Sequence, residues 1–459
     1  MTVTPFPGAE PVTEADLSPE FSDDALALEF SGRHAHELRF CSQWGTWLLW
    51  DGARWKFEKT LKTFDMARAV AREFANACND PDDKPKIASA GKVAAIERLA
   101  RSDRRHAADV DLWDSDPWLL NTPAGIIELR TGRTLPHDPD RYITKITAVA
   151  PSAGCPLWLK FLGEITGGDA DLQAFLQRIA GYALTGSTRE HALFFFYGTG
   201  GNGKGVFLNT LSAILADYAA VAPMESFIAT QGERHPTDLA GLRGARFVSS
   251  QETEEGRRWA ESKIKALTGG DPITARFMRQ DFFTYQPAFK LVIAGNHKPG
   301  LRGVDEAIRR RFNLVPFTVT IANPDRDLPD KLKEEWPGIL KWMIEGCLGW
   351  QRNGLSAPAS VRDATDAYLG EEDAIARWVE DCCVTGPSQW ESSALLWPNW
   401  QDWATKANER VGSRRTFGMA LESHGYSPEK SQDIRGFRGL ALIPAERPSP
   451  YSGYAERHG

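Results

Sequence analysis

The stretch His191-Ala-Leu-Phe-Phe-Phe-Tyr-Gly-Thr-Gly-Gly-Asn-Gly-Lys-Gly-Val-Phe-Leu-Asn-Thr-Leu211 decides the fold. Leu193 to Tyr197 is an unbroken apolar run and predicts a buried strand. Val206, Phe207, Leu208, Leu211, Ile214 and Leu215 then recur on one side of a predicted helix. Between them lies Gly198-Thr199-Gly200-Gly201-Asn202-Gly203-Lys204-Gly205-Val206, in which Gly198, Gly203 and Lys204 fit the phosphate-binding spacing G-x-x-x-x-G-K. Glycines let backbone N–H groups turn inward around phosphate oxygens, the helix N-terminus adds its dipole, and Lys204 brings a mobile cation to the β/γ-phosphates. The hydroxyl residue that normally follows the lysine is replaced by Gly205.

Working outward, 459 residues suggest about three domains. The composition, 42% hydrophobic and 25% charged, is that of a soluble protein able to bury a sizeable core. A net charge of -7 argues against a wholly basic nucleic-acid coat, although a local basic channel remains compatible with it. The six cysteines form no C-x-x-C pair and no disulfide framework, which fits a reducing compartment. The N-terminus is acidic and proline-rich, unlike a secretory signal, and no apolar run approaches the roughly 20 residues of a membrane helix. A soluble, cytoplasmic protein with no membrane partner is expected.

Residues 1–35 read as a flexible leader. Residues 36–150 form a Trp-rich domain in which Asp51-Gly52 turns a hairpin between Trp47–Trp50 and Trp55–Phe57, followed by helices and short strands. Its indoles read mainly as core, with base stacking as the alternative. Residues 151–345 hold two lead-in helices and the glycine-loop unit. Within it Ala245–Glu252 and Phe289–Asn296 predict further buried strands, and Ile273 to Tyr285 a second hairpin. Residues 346–459 read as a helical, winged-helix-like tail that carries five tryptophans from about Ser360 onward, a helix opening at Ser413 and a closing strand Arg435–Ile443.

Strands ending in a phosphate loop, an acid and an asparagine define one crevice at the carboxyl edge of a parallel sheet. A nucleoside triphosphatase needs those parts. Lys204 supplies the cradle cation, Glu252 the acid for metal or water, and Asn296 the group that orients the attacking water. Glu254 and Glu255 are reserve acids. Arg310 and Arg311 are candidates for an arginine finger reaching a neighbouring subunit, with Arg309 the solvent-facing member.

Together, Gly198–Lys204, Glu252, Ile264-Lys-Ala-Leu-Thr-Gly-Gly-Asp271, Ala294-Gly-Asn-His-Lys-Pro299 and Asp305-Glu-Ala-Ile-Arg-Arg-Arg-Phe312 resemble superfamily 3 helicases, most closely the helicase half of phage and plasmid primase-helicases. Trp47–Trp55 and Leu120-Asn-Thr-Pro-Ala-Gly-Ile126 extend the resemblance upstream, so it covers roughly residues 40–320. The resemblance implies an α/β fold: an AAA+ type P-loop core with a parallel sheet, preceded by a mixed helical and strand domain and followed by a small winged-helix-like region. It implies a homo-oligomeric ring, a hexamer, that hydrolyses ATP with Mg²⁺ at subunit boundaries and moves on single-stranded or forked DNA. It further implies a phage or prophage replication protein acting in a bacterial host.

By the same resemblance Gly198–Lys204 is Walker A, Glu252 is Walker B and a metal ligand, Asn296 is sensor 1, and Arg310 or Arg311 is the finger. The hairpin Arg276–Phe283, with Arg279 at its turn, would reach the ring channel, where Arg276, Arg279, Lys290 and Lys298 would meet DNA phosphates. Two departures stand out. Gly205 lacks the metal-binding hydroxyl, and Gln251 stands where many P-loop ATPases have an aspartate. They keep open a nucleotide- and DNA-binding loader or scaffold with weak or no turnover. A non-helicase P-loop enzyme is the other alternative. The family's N-terminal polymerase domain has no room in the about 40 residues before the Trp-rich region. No primer synthesis is therefore expected of this chain, and a separate primase is the expected partner.

Overall fold

The computed structural model describes residues 20–152, 154–229, 237–251, 256–277, 281–301, 303–409, 411–431 and 433–443. Helix Asp23–His34 corrects the expected leader over residues 1–35: the Ser22 hydroxyl caps it by accepting from Ala25 N–H, and Leu26 and Phe30 are buried in the N-terminal core. A three-stranded antiparallel sheet follows: β1 (Leu38–Cys41), β2 (Thr46–Trp50) and β3 (Trp55–Phe57). The predicted turn is there. Asp51 accepts from Ala53 and Arg54 N–H, and Trp50 pairs with Trp55. Trp47 and Trp55 are buried, and Trp47 Nε1 donates to the buried Glu97 at 2.5 Å, so these indoles serve the core. Helices Lys62–Ala77 and Ala90–Ala100 close over the sheet through Val70, Val93 and Ile96.

A second small sheet, β4 (Leu119–Thr122), β5 (Gly125–Glu128) and β6 (Arg133–Leu135), turns its apolar side towards the lead-in helices Pro156–Ile165 and Ala170–Ala183. Asn121 ties it to both neighbours: its Nδ2 donates to Ala53 O at 3.0 Å, and its backbone N–H donates to Tyr218 Oη at 3.0 Å.

The next strands are β7 (Leu193–Tyr197), β8 (Ala219–Val221), β9 (Phe247–Gln251), β10 (Ile273–Ala275), β11 (Phe283–Tyr285), β12 (Lys290–Gly295) and β13 (Phe312–Pro316). Five of them form one all-parallel sheet in the order β13-β7-β12-β9-β8, while β10 and β11 make a separate antiparallel hairpin. Both faces of the sheet are covered, and the apolar runs read from the sequence follow from this. Phe194 and Phe196 face the lead-in helices and the glycine-loop helix Lys204–Leu215; Leu193 and Phe195 face Trp259, Ile264 and Tyr368 on the other side. Helix Trp336–Asn353 crosses Ala170–Ala183 at very close range. A Cβ at Gly181 would fall 2.0 Å from Cys347 N, and one at Gly346 2.1 Å from Gln177 O.

After helix Ala359–Glu372 the chain runs helix Ala374–Cys382, β14 (Cys383–Ser392), helices Ser393–Lys406 and Arg414–Ser423, β15 (Ser427–Ser431) and β16 (Ile434–Leu442). Helix–strand–helix–helix–strand–strand with sheet order β14-β16-β15 is the winged-helix arrangement expected for the tail. Ser413 caps its helix as predicted, in a reciprocal capping box with Thr416. Among the described residues no helix is long and apolar enough to cross a membrane.

Candidate functional site

The carboxyl ends of β7, β12 and β9 lie side by side, with Tyr197 opposite Gly295 and Ala294 opposite Gln251. The glycine loop leaves β7 there and enters helix Lys204–Leu215. Its glycines are required by geometry. Gly198 has φ 153° and its Cβ would stand 2.0 Å from Phe317 O; Gly203 has φ 81° and its Cβ would stand 2.5 Å from Ile165 Cγ2. Any larger residue would push the loop off the end of β13 or off the lead-in helix.

Lys204 is 8% exposed. Its Nζ donates to Gly198 O at 2.6 Å, Asn202 Oδ1 at 3.1 Å, Asn296 Oδ1 at 3.4 Å and Thr199 O at 3.5 Å. Those partners are neutral oxygens, and burial pushes the ammonium below its ordinary range. A partly desolvated cation in such a ring is stabilised by an arriving anion, so this cradle fits phosphate. Asn202 is nearly buried, and its Nδ2 donates to Phe317 O at 2.7 Å and also to Thr199 O. Ile321 N–H donates to Gly201 O at 3.0 Å. The segment after β13 therefore braces the loop. Sequence reading placed Asn202 in the cradle but missed Phe317 and Ile321, which carry no motif.

The place where the resemblance implies a metal is different. Gly205 offers no side chain, and nothing lies within 4 Å of where its Cβ would be. Gln251 at the tip of β9 donates from Nε2 to Asn209 Oδ1 at 3.1 Å. Asn209 carries no motif in the sequence and sits exposed on helix Lys204–Leu215. Among the described residues no group of three or more His, Cys, Asp or Glu is placed to hold a metal ion. Glu252, Glu254 and Glu255 lie outside the described residues. The described side chains thus fit a phosphate but supply no ligand set for Mg²⁺.

The three consecutive arginines have three different environments. Arg309 reaches Asp373 in the C-terminal region at 3.9 Å, and Arg310 is exposed. Arg311 is buried: its Nε donates to Thr268 Oγ1 at 3.3 Å, its Nη1 donates to Ala307 O at 2.8 Å, and burial lowers its pKa. Lys265 pairs with Asp305 at 2.5 Å, and Asp305 caps the helix Glu306–Arg309 by accepting from Ile308 N–H at 2.8 Å. The segment Ile264–Asp271 and the arginine segment, read as separate motifs, therefore form one packed unit.

The β10–β11 hairpin is present, with Arg276 stacked over Phe282 at 4.6 Å. Arg279 lies outside the described residues. Lys298 is exposed, and its ammonium sits 4.9 Å above the ring of Tyr197. Lys290 corrects an expectation. It is 1% exposed, donates to Ala288 O at 3.0 Å and to Thr185 O, and lies over the ring of Tyr182. Burial drives its pKa well below the usual range. Lys290 opens β12, at the end of the sheet opposite the glycine loop, so its cation is a core group and no contact for DNA phosphate.

Comparisons with known proteins agree with this architecture. Residues 27–167 match the family described as D5 N terminal like, and residues 196–311 match a family of unknown function (DUF5906). The chain is 26% identical over 278 residues to "Putative helicase 022R" of Frog virus 3 (isolate Goorha), covering 55% of this chain and 28% of that protein. It is 21% identical over 397 residues to "Putative primase C962R" of African swine fever virus (strain Badajoz 1971 Vero-adapted), covering 78% and 41%. The chain thus spans well under half the length of these curated relatives. Among solved structures, the C-terminal region of NrS-1 superposes with a TM-score of 0.51 at 10% identity, over 91% of this chain and 99% of that one, which is a likeness of fold. The two family matches stand in this order along the chain, and the relatives it resembles carry both helicase and primase names.

Proposed function

We propose that this chain is an ATP-driven DNA helicase or translocase of superfamily 3 that works as a homo-oligomeric ring, a hexamer, on single-stranded or forked DNA during phage or mobile-element replication. The observation that carries the reading is the meeting of Lys204 Nζ and Asn296 Oδ1, 3.4 Å apart at the edge where β7 and β12 lie side by side. It supports a site in which a phosphate-binding cation and a water-orienting amide serve one triphosphate. In this reading Gly198–Val206 cradle the phosphates, Glu252 serves as the acid, and Arg310 acts across the subunit boundary. Arg310 is preferred over Arg311 because its side chain is exposed, whereas Arg311 is committed to Thr268 and Ala307. Arg276 and the hairpin aromatics meet DNA.

Phosphate release from ATP, measured with and without single-stranded DNA at concentrations where the chain oligomerises, tests the proposal. Stimulation by DNA is the expected result, and its absence removes the motor. A second reading, a nucleotide- and DNA-binding loader without turnover, is favoured by the Gln251–Asn209 amide pair and by Gly205. It predicts nucleotide binding in the same assay with no DNA-stimulated release.

A further inference from the structure

Among the described residues, three aromatic side chains are exposed: Phe57 at 43%, Phe277 at 41% and Phe282 at 59%. They lie in two separate domains of the chain, yet one run of ring and cation contacts spans the gap between those domains. Phe57 packs against Trp44 with centroids 5.0 Å apart. Trp44 lies under the guanidinium of Arg243 at 5.6 Å, and the same guanidinium lies over Phe283 at 5.3 Å. Phe283 stacks on Phe277 at 5.7 Å with an interplanar angle of 28°. Arg276 over Phe282 flanks this end. Neither Arg243 nor Arg276 is paired with a carboxylate among the described residues.

We infer that this seam is a binding path for single-stranded nucleic acid that begins on the N-terminal sheet at Phe57 and Trp44, crosses Arg243 and ends on the β10–β11 hairpin. The inference rests on the motor reading and adds the N-terminal domain to the track. A seam that served only to join two domains would bury its rings, whereas this one leaves a phenylalanine open to water at each end. Arginines interleaved with aromatic faces offer a polyanion two contacts at once, stacking for its bases and charge for its phosphates. A duplex hides its base faces, so the chemistry selects a single strand. The Trp-rich sheet thereby divides its work: Trp47 and Trp55 hold the core, and Trp44 with Phe57 form the outer rim.

The test measures binding of a fluorescent oligothymidylate to the full chain by anisotropy, with Phe57→Ala, Phe57→Trp and Arg243→Gln variants. Photocrosslinking of an oligonucleotide carrying 4-thiothymidine locates the contact. The expected results are roughly fivefold or greater loss of affinity for Phe57→Ala and retention for Phe57→Trp. An unchanged melting temperature is expected for both, since the ring is exposed, together with crosslinks in the peptides holding Trp44 and Phe57. If wild-type chain binds the oligonucleotide and Phe57→Ala and Arg243→Gln bind equally well, the path is overturned while the motor reading stands. Equal affinity for a duplex of the same length also overturns it. Failure of the wild-type chain to bind single strands overturns both.

Discussion

Lys204 Nζ and Asn296 Oδ1 lie 3.4 Å apart, linking the glycine loop to the tip of the adjacent strand. Because β7 and β12 are parallel neighbours paired from Leu193 and Leu291 to Tyr197 and Gly295, this contact is built into the sheet. The two residues nonetheless have different chemistry. Lys204 is a partly desolvated cation in a cradle that fits phosphate; Asn296 is a neutral amide held beside it.

Their substitution should therefore separate binding from turnover. Lys204→Ala is expected to reduce affinity for a fluorescent nucleotide by more than about tenfold, because a charge-assisted contact in a partly desolvated site is lost. Asn296→Ala should leave that affinity within a factor of two or three and lower DNA-stimulated hydrolysis by roughly 10²-fold. Titration of nucleotide and a phosphate-release assay on the same preparations check both. Equal loss of binding in the two variants would make Asn296 part of the cradle.

Arg310 and Arg311 should behave as different kinds of residue. Arg311→Ala leaves Thr268 and Ala307 without their buried donor and should cost about 2–3 kcal/mol in urea unfolding. Arg310→Ala should leave unfolding and nucleotide affinity unchanged and lower hydrolysis in the assembled ring by roughly 10³-fold or more. Mixing Arg310→Ala with Lys204→Ala subunits should restore part of the activity, since some boundaries then combine an intact loop with an intact arginine. No recovery on mixing would argue against action across a boundary.

How far the sequence could go is clear from these residues. Five consecutive apolar residues with no breaker made β7 legible, and the glycines of the loop followed from its spacing. Strand β8 was missed because Ala219–Val221 is three residues long at the sheet edge, with Val221 75% exposed. Strand β14 was hidden by Gly386 and Pro387, which coincide with a register shift between Thr385 and Trp390. For the arginines a signal existed. Arg311 follows buried Ile308 by three residues and its N–H donates to Ile308 O, so the two share one side of the turn. Lys290 was misread although its place was accessible: six residues before Asn296 on an extended strand puts it about 20 Å from the loop edge. The Asn209–Gln251 pair had no local pattern, since it joins a helix to a strand 42 residues apart.

Installing at Gly205 and Gln251 the side chains that the helicase resemblance implies for a metal should be structurally free at one position and informative at both. With nothing within 4 Å of its Cβ, Gly205→Ser should fold as the parent does, and a serine in the first helical turn costs less than glycine. Gln251→Asp replaces the amide that pairs with Asn209 by a carboxylate at the strand tip. The parent's nucleotide affinity should change little when Mg²⁺ is chelated, whereas the Gly205→Ser, Gln251→Asp double variant should gain a clear Mg²⁺ dependence. Calorimetry with ADP, with and without chelator, reads this directly. A strong Mg²⁺ dependence in the parent would assign the metal to carboxylates such as Glu252.

A last prediction concerns the junction between the motor and the winged-helix region, where Asp373 receives three partners. It accepts from Ala376 N–H at 3.1 Å as a helix cap, lies 2.8 Å from His424 Nε2, and is 3.9 Å from Arg309 Nη2. The other ring nitrogen of His424 faces Ala420 O at 2.7 Å. With an acceptor at each nitrogen the imidazolium is the favoured form. Asp373 raises the His424 pKa above its ordinary 6.5 against the opposing effect of burial. Burial pushes Asp373 up, but His424 and the Ala376 N–H outweigh it and hold the carboxyl below 3.8. A histidine whose pKa rises on folding gives stability that is complete below pH 6.5 and is lost as pH climbs through the raised folded value. The carboxylate's contribution is present above pH 3.8 and is lost only as pH falls through its depressed value. The junction should thus be most stable in mildly acidic solution and weaken above neutrality. His424→Gln should cost about 1.5–3 kcal/mol at pH 5.5 and progressively less at higher pH, flattening the dependence of melting temperature on pH between 5.5 and 9. The same slope in parent and variant would mean that the ion pair does not govern the junction.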